Sequence, residues 1–396
     1  MSTAIHRYAF PAAEAPIVGA LDLDPGELGV RPRRLPAWTR RQIPDRVFDF
    51  VVGMGSGLRI ATATAATLLD LEFVVIGIDP SVGATIPATV QLVIDGEVVA
   101  TRVFGVDAQT LIDANGDSTQ QRGAVHARFD GLSPRMKSVE LWLPHSTAME
   151  LVSISADAQL HPPLDDRPVW VHHGSSISQC GEALAPTLTW PAVAAAAGGV
   201  SLRSLGFSGN AVGDPFVART IRDLPADLIS VEIGVNVVNG DLMRRRMFEP
   251  VLHGFLDTVR DGHPETPLLF LGPIPCPAHE HLPGPTVIDP LTGQCASAGH
   301  PGELERGAMS LRVVREAIDS VLRARDDDPN LLYLDGRALL AESETGDLPD
   351  GLHPSADAYV RMGHRFAAAA FAPGAVLDPR EVRDARRPPA SAARPR

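Results

Sequence analysis

The sequence predicts two domains, an all-β sandwich or jelly roll followed by a three-layer α/β domain with a parallel sheet. Short β-rich runs separated by turns fill the first 160 residues, whereas strands alternate with helical segments after residue 168. A proline-rich stretch separates the two patterns, and 396 residues suffice for two domains of ordinary size. We therefore predict domains at 1–160 and 169–375, a linker at 161–168 and a disordered, Arg- and Pro-rich tail at 376–396.

Eight short runs predict the strands of the first domain. Several alternate apolar and polar residues, which is typical of a strand with one face in water. Asp95-Gly96 lies between two apolar dipeptides and predicts a hairpin, because a type I′ turn needs positive φ at both central residues. Their number and spacing favour a sandwich of the carbohydrate-binding-module type. The predicted strands are 47–52, 58–62, 71–78, 89–94, 97–104, 125–129, 138–143 and 149–157.

Apolar strands alternate with helices in the second domain. This pattern is typical of a parallel sheet covered on both faces, where the chemistry lies at the carboxyl ends of the strands. The predicted strands are 169–173, 200–205, 227–233, 267–271 and 331–334, and the predicted helices are 190–197, 249–261, 303–325 and 356–370.

Composition excludes several classes of function. A net charge of -13 argues against binding to nucleic acid or to a membrane surface, and Lys137 is the one lysine, which nearly excludes Schiff-base chemistry. Three scattered Cys form no disulfide framework, and neither a signal peptide nor an apolar run of membrane-spanning length is evident. We expect a cytoplasmic protein that binds neither nucleic acid nor membranes.

Polar residues follow three of the predicted strands and precede the last helix. A hydroxyl, a glycine, an amide and a carboxylate–imidazole pair are the groups that acyl transfer needs: a nucleophile, oxyanion donors, and a base with its orienting acid. The four blocks are Gly174-Ser175-Ser176, Phe207-Ser208-Gly209-Asn210, Gly234-Val235-Asn236-Val237 and Asp350-Gly351-Leu352-His353-Pro354. Taken singly, each has a structural alternative, such as a turn, a backbone contact or a helix cap.

In this order the blocks resemble the SGNH, or GDSL-type, serine hydrolases over residues 168–371. The resemblance implies a flavodoxin-like catalytic domain and a triad of Ser176, His353 and Asp350. It also implies an oxyanion hole made by the backbone N–H groups of Ser176 and Gly209 and by the side-chain amide of Asn236.

The sequence departs from the family pattern at two carboxylates. Ser175 stands where the family has the Asp of its GDS block, and Val237 stands where it has the Asp of GxND. Neither belongs to the triad, so the chemistry survives, but the positioning of the nucleophile turn is left open. Ser175 also leaves a one-residue ambiguity about the nucleophile.

We expect further substrate contacts from His173, Ser175, Asn210, Cys276 and His279. The long Pro-rich segment 276–300 is interpreted as a substrate-side loop. Cys276 and His279 are also spaced as metal ligands, but no second ligand pair follows at zinc-site spacing. We therefore expect no metal and no cofactor.

The preferred function is hydrolysis, through an acyl-enzyme, of a small acyl ester of a sugar or natural product. One alternative is an acyltransferase that moves an acyl group from a thioester or ester donor to a natural-product hydroxyl. Another is a non-catalytic ligand-binding protein. The expected partners are small molecules: an acyl ester or acyl donor, and an alcohol acceptor. The short stiff linker also predicts that the β domain helps to wall the active-site cleft.

Overall fold

The computed structural model describes residues 4–81, 86–113, 115–375 and 377–386. It contains a strand-rich N-terminal half and an α/β half, so the predicted fold class is confirmed. The N-terminal strands are β1 (His6–Ala9), β2 (Ile17–Val18), β3 (Asp22–Pro25), β4 (Val30–Arg33), β5 (Arg59–Thr64), β6 (Leu69–Ile78), β7 (Ala88–Ile94), β8 (Glu97–Phe104), β9 (Gln109–Ile112), β10 (Ser118–Gln120), β11 (Val125–Phe129), β12 (Lys137–Trp142), β13 (Ala148–Ala156) and β14 (Leu160–His161).

The N-terminal strands form two sheets that enclose one apolar core. The larger sheet has the order β10-β9-β6-β13-β4-β3, with β1 on β13 and β11 on β6, and the smaller has the order β14-β5-β12-β7-β8, with β2 on β5. Alternate residues of strands in both sheets point into this core, including Phe73 and Ile154 from the larger and Leu92 and Leu141 from the smaller. This arrangement is the predicted β-sandwich.

The predicted strand 47–52 is wrong: these residues lie in the helix α1 (Arg46–Gly53). Asp45 caps the helix by accepting a hydrogen bond from the Phe48 backbone N–H at 2.8 Å. The helix buries its apolar side against the α/β half, where the Phe48 ring lies 5.5 Å from the Phe207 ring. Tertiary packing therefore overrides the β propensity of this valine-rich run.

The α/β half is built on five parallel strands in the order β16-β15-β17-β18-β21. This is the flavodoxin-like order 2-1-3-4-5, which places a crevice beyond the carboxyl end of the first strand, β15. Its strands are β15 (Val169–Gly174), β16 (Ser201–Gly206), β17 (Leu228–Glu232) and β18 (Leu268–Leu271), then a hairpin of β19 (Thr286–Ile288) and β20 (Cys295–Ser297), and finally β21 (Leu331–Leu334). The helices are α2 (Ser176–Gln179), α3 (Trp190–Gly198), α4 (Pro215–Asp223), α5 (Val235–Asn239), α6 (Arg245–Gly262), α7 (Leu311–Arg323), α8 (Ala356–Phe366) and α9 (Pro379–Arg386).

Part of the C-terminal tail is ordered, contrary to the prediction for 376–396. Leu377 is fully buried in the α/β core, and Asp378 accepts a hydrogen bond from the Arg380 backbone N–H at 3.0 Å at the start of α9. Val382 then packs against the same core. The apolar residues within this charged stretch anchor it, and residues 387–396 lie outside the described part of the chain.

Two fully buried arginines join the two halves. Arg34 donates to the carbonyl oxygens of Gly206 (2.6 Å) and Val51 (2.7 Å), and its guanidinium lies 4.8 Å from the centre of the Phe207 ring. Arg59 donates to Leu202 O at 3.1 Å, near the other end of the same strand, β16. A buried charge is costly without hydrogen-bond partners, so these contacts to the backbone of β16 hold the sandwich against it.

Among the described residues, no helix has both the length and the apolar character needed to cross a bilayer. The domain boundaries at 160, 168 and 375 stay a prediction.

Replacing Arg34 by Met should lower the free energy of unfolding by roughly 2–4 kcal/mol, because two buried hydrogen bonds from the guanidinium to backbone carbonyl groups are lost. Denaturant unfolding measures this change. The control is Arg7→Met, since Arg7 is exposed and pairs with Glu72 at 2.6 Å, an interaction whose loss should cost less than about 1 kcal/mol. Equal losses in the two variants would show that Arg34 does not hold the halves together.

Candidate active site

The turn between β15 and α2 presents the Ser176 side chain at the carboxyl edge of the sheet. Ser175 caps α2, its hydroxyl accepting from the Ile177 N–H at 3.3 Å, and it is fully buried, whereas Ser176 is partly exposed. Gly174 is required at the end of the strand, because a Cβ there would lie 2.2 Å from the Ser178 hydroxyl oxygen. The tight turn thus separates the roles of the two adjacent serines.

Ser176, His353 and Asp350 form one hydrogen-bonded chain. Ser176 Oγ lies 2.9 Å from His353 Nε2, and His353 Nδ1 lies 2.7 Å from Asp350 Oδ2. The other oxygen of Asp350 accepts the backbone N–H groups of Leu352 (2.9 Å) and His353 (2.7 Å). Because the Nδ1–H of His353 donates to the carboxylate, Nε2 carries no hydrogen and accepts a hydrogen bond from the Ser176 hydroxyl.

The charges of this chain suit base catalysis. Burial raises the pKa of Asp350, but the hydrogen bonds from His353 and Leu352 outweigh it and lower that pKa to about 2. Burial lowers the pKa of His353, but the hydrogen bond to Asp350 and the charges of Glu182 and Asp350 outweigh it, so the pKa is raised above its ordinary value. Asp350 is therefore ionised at neutral pH and favours a proton on His353.

The last helix, α8, begins at Ala356, the first residue of the predicted helix 356–370, and Ser355 caps it by accepting from the Ala358 N–H at 3.3 Å. The Asp350 carboxylate itself bends the chain back onto His353.

The predicted oxyanion donors lie at neighbouring strand ends. Gly174 pairs with Gly206 across β15 and β16, and Gly209 follows in the next loop with φ +73°, a conformation that favours glycine. Asn236 lies in α5, directly after β17; its Oδ1 accepts the Ala211 N–H at 2.9 Å, while no described residue accepts a hydrogen bond from its Nδ2. That contact fixes the amide and leaves Nδ2 as a donor for a ligand.

Glu232 helps to position the turn that carries Ser175 and Ser176. Sequence analysis left the positioning of this turn open and missed Glu232. This last residue of β17 is 4% exposed, and its Oε2 accepts the Ser175 backbone N–H at 2.9 Å. Burial raises its pKa, while hydrogen bonds from Ser175 oppose the rise. The one available signal was an acidic residue at the end of a mostly apolar strand.

Gln179, also missed, connects α2 to the loop that carries Gly209 and to the β half. Its Oε1 accepts the Ser208 N–H at 3.0 Å, in the loop that carries Gly209. Its Nε2 donates to Met54 Sδ at 2.7 Å, and its backbone oxygen accepts from the Ser56 hydroxyl at 3.1 Å. The β half therefore contacts the helix that begins with Ser176.

Ser175 and His173 do not line a cleft, contrary to expectation. Ser175 is fully buried, and His173 is buried between Leu205 O, 2.8 Å from its Nδ1, and the Phe255 ring, 5.9 Å away. Burial lowers the pKa of His173 to about 4. Its side chain points from the strand into the helix layer, away from the strand end.

Cys276 and His279 are likewise buried rather than exposed to substrate. Cys276 Sγ donates to Gly351 O at 3.4 Å, and burial raises the pKa of this thiol to about 12. His279 Nε2 lies 2.6 Å from the Thr286 hydroxyl. Within the described ranges, no group of three or more His, Cys, Asp or Glu side chains is placed to hold a metal ion. Asn210 is half-buried, and its contact with substrate stays a prediction.

Comparison with known proteins identifies the domain. Residues 173–361 match the model of the GDSL-like lipase/acylhydrolase family. These residues form a GDSL-like lipase/acylhydrolase domain. This match supports an esterase or acyltransferase, as the sequence predicted. No curated protein sequence matches the chain.

Solved structures resemble both halves together. A salicylyl-acyltransferase, SsfX3, from a tetracycline biosynthetic pathway is 25% identical, with a TM-score of 0.76 over 92% of this chain and 96% of that one. A putative GDSL-like lipase from Bacteroides ovatus is 18% identical, with a TM-score of 0.65 over 92% and 97%. A family two carbohydrate esterase from Cellvibrio japonicus is 14% identical, with a TM-score of 0.55 over 92% and 96%. The last two establish the fold alone.

We expect Glu232→Ala to lower kcat/KM for p-nitrophenyl acetate by about 10–100-fold, because the buried Ser175 N–H loses its acceptor. Glu232→Gln keeps an acceptor oxygen and should stay within about fivefold of the wild type. Steady-state kinetics on both variants, with circular dichroism to check folding, tests the role. Equal activity in Glu232→Ala and the wild type would rule it out.

Proposed function

We propose that the protein is a serine esterase that cleaves a small acyl ester of a sugar or natural product through an acyl-Ser176 intermediate. The observation that carries this proposal is the unbroken hydrogen-bonded chain from Ser176 through His353 to Asp350. The GDSL domain supports the reaction class. The substrate is a small molecule, and its acyl and alcohol parts are left open.

In this mechanism His353 acts first as a base and then as an acid: it takes a proton from the attacking oxygen and returns it to the leaving oxygen. Its Nε2 takes the hydroxyl proton as Ser176 Oγ attacks the acyl carbonyl carbon, and the carbonyl oxygen becomes an oxyanion. Backbone N–H groups of Ser176 and Gly209 and the Asn236 amide stabilise that oxyanion. The C–O bond to the alcohol then breaks as His353 returns the proton to the leaving oxygen. Water then loses a proton to the same Nε2 and attacks the acyl carbon. The bond from that carbon to Ser176 Oγ breaks as His353 returns the proton to Oγ, and the acid leaves.

The β half, in this proposal, is part of the catalytic structure rather than a tethered module. Support comes from its contacts with the nucleophile helix and the oxyanion loop, through Gln179 and Arg34. We also place the protein in the cytoplasm, where its three unpaired cysteines would stay reduced.

Ser176→Ala should lower esterase activity by at least about 10³-fold, because the base then has no nucleophile to activate. Ser175→Ala removes a helix cap worth about 1 kcal/mol and should keep at least about a tenth of the activity. Hydrolysis of p-nitrophenyl acetate, with peptide mapping of a fluorophosphonate label, measures both. A label on Ser175, or full activity in Ser176→Ala, would overturn the assignment.

A second candidate function is acyl transfer, favoured by the likeness of nearly the whole chain to the salicylyl-acyltransferase. Water at ~55 M competes for any acyl-enzyme, so an acceptor must be held in attack geometry to win. Product partitioning separates the two functions: an activated acyl donor is supplied with polyols, glycosides and polyketide alcohols. We expect free acid as the main product. An acylated alcohol as the dominant product in water would establish the transferase instead.

A further inference from the structure

A second carboxylate lies beside the catalytic histidine. Glu182, in the loop after α2, places Oε1 3.8 Å from His353 Nδ1, on the same side of the ring as Asp350. Its other oxygen, Oε2, accepts a hydrogen bond from the Tyr359 hydroxyl at 2.9 Å. The mechanism above assigns Glu182 no role.

The fold holds this carboxylate in place from both sides. Tyr359 is fully buried in α8, the helix that follows His353, and its hydroxyl reaches Glu182. Cys180, with φ +59°, ends α2 and turns the chain toward Glu182. The buried His145 ring of the β half lies against the backbone of Gly181 and Ala183, the two neighbours of Glu182.

We propose that Glu182 is a positioning residue that, together with Asp350, stabilises the positive charge of protonated His353. When Nε2 takes the Ser176 proton, the imidazolium has one carboxylate oxygen at 2.7 Å and another at 3.8 Å. At that separation, opposite charges attract measurably even where water screens them. The proposal rests on the proposed function, because it concerns the base of that reaction.

The titratable groups that face Glu182 and Asp350 are neutral near pH 7, so these two carboxylates are the charged neighbours of the histidine. Tyr359 and Cys180 face Glu182, and burial raises the pKa of each well above its ordinary value, so both are neutral near pH 7. Cys276 and Cys295 face Asp350, and burial raises the pKa of both thiols as well.

The test is the pH dependence of the rate at which a fluorophosphonate labels Ser176. His353 must be neutral to act, so the rate falls as the pH drops through its pKa. Glu182→Gln removes a charge that favours the protonated form, and the acid limb should move to lower pH by about half a pH unit. The matched control is Glu316→Gln on α7, since the Glu316 and Glu182 side chains are both 46% exposed. The control should leave the acid limb in place.

A double-mutant cycle separates this role from a structural one. In the wild type, Glu182→Gln should slow labelling of Ser176 about two- to threefold. In the Asp350→Ala variant the same substitution should slow labelling tenfold or more, because Glu182 is then the nearest acid to His353. The proposal would be overturned if Glu182→Gln slowed labelling by the same factor with and without Asp350→Ala and left the acid limb in place. Absence of label on Ser176 in the wild type would instead contradict the proposed function itself.

Discussion

The hydrogen bond between His353 Nε2 and Ser176 Oγ is the constraint on which the catalytic half depends, because it joins residues 177 positions apart. It requires the end of β15 and the loop before α8 to meet within 3 Å. The sheet supplies one partner by placing β15 between β16 and β17. The helix α8 is held on that sheet by Phe366, whose ring stacks on Trp170 with 5.2 Å between centroids.

The long segment 276–300 holds the acid rather than forming a simple substrate loop. The Cys295 N–H donates to Asp350 O at 2.7 Å, Gln294 Nε2 donates to Pro349 O at 2.6 Å, and Cys276 Sγ donates to Gly351 O. Three contacts thus fix three consecutive residues of the Asp350 turn. Because they pair with backbone groups, they set the position of the carboxylate without competing for its oxygens.

The β half takes part in the same structure. Arg34 is fully buried, and no carboxylate in the described part of the chain pairs with it. It donates instead to carbonyl groups on both halves. Such a charge is stable only while both carbonyls stay in place, so the position of β16 and of the loop that carries Gly209 is coupled to the sandwich. Similarity to other solved structures likewise extends over both halves.

The sequence was sufficient for features that depend on local pattern. Strand 97–104, the Asp95-Gly96 hairpin and the order of the four polar blocks are all set by neighbouring residues. Partners distant in sequence were out of reach: Glu232 binds a residue 57 positions away, and Gln179 binds Met54 125 positions away. In a strand covered on both faces, the sequence does not show to which face a lone polar residue points. His173 was therefore expected in the cleft, although its ring packs against Phe255 of α6.

The most direct test of the account is the identity of the acylated residue during turnover. The enzyme is mixed with p-nitrophenyl acetate, quenched in acid within the first turnovers, digested and analysed by peptide mass spectrometry. We predict one acetyl group on the peptide that contains Ser176, with fragment ions placing it on that residue. Acetyl found on another residue, or steady hydrolysis with no acetylated Ser176 at any quench time, would contradict the account.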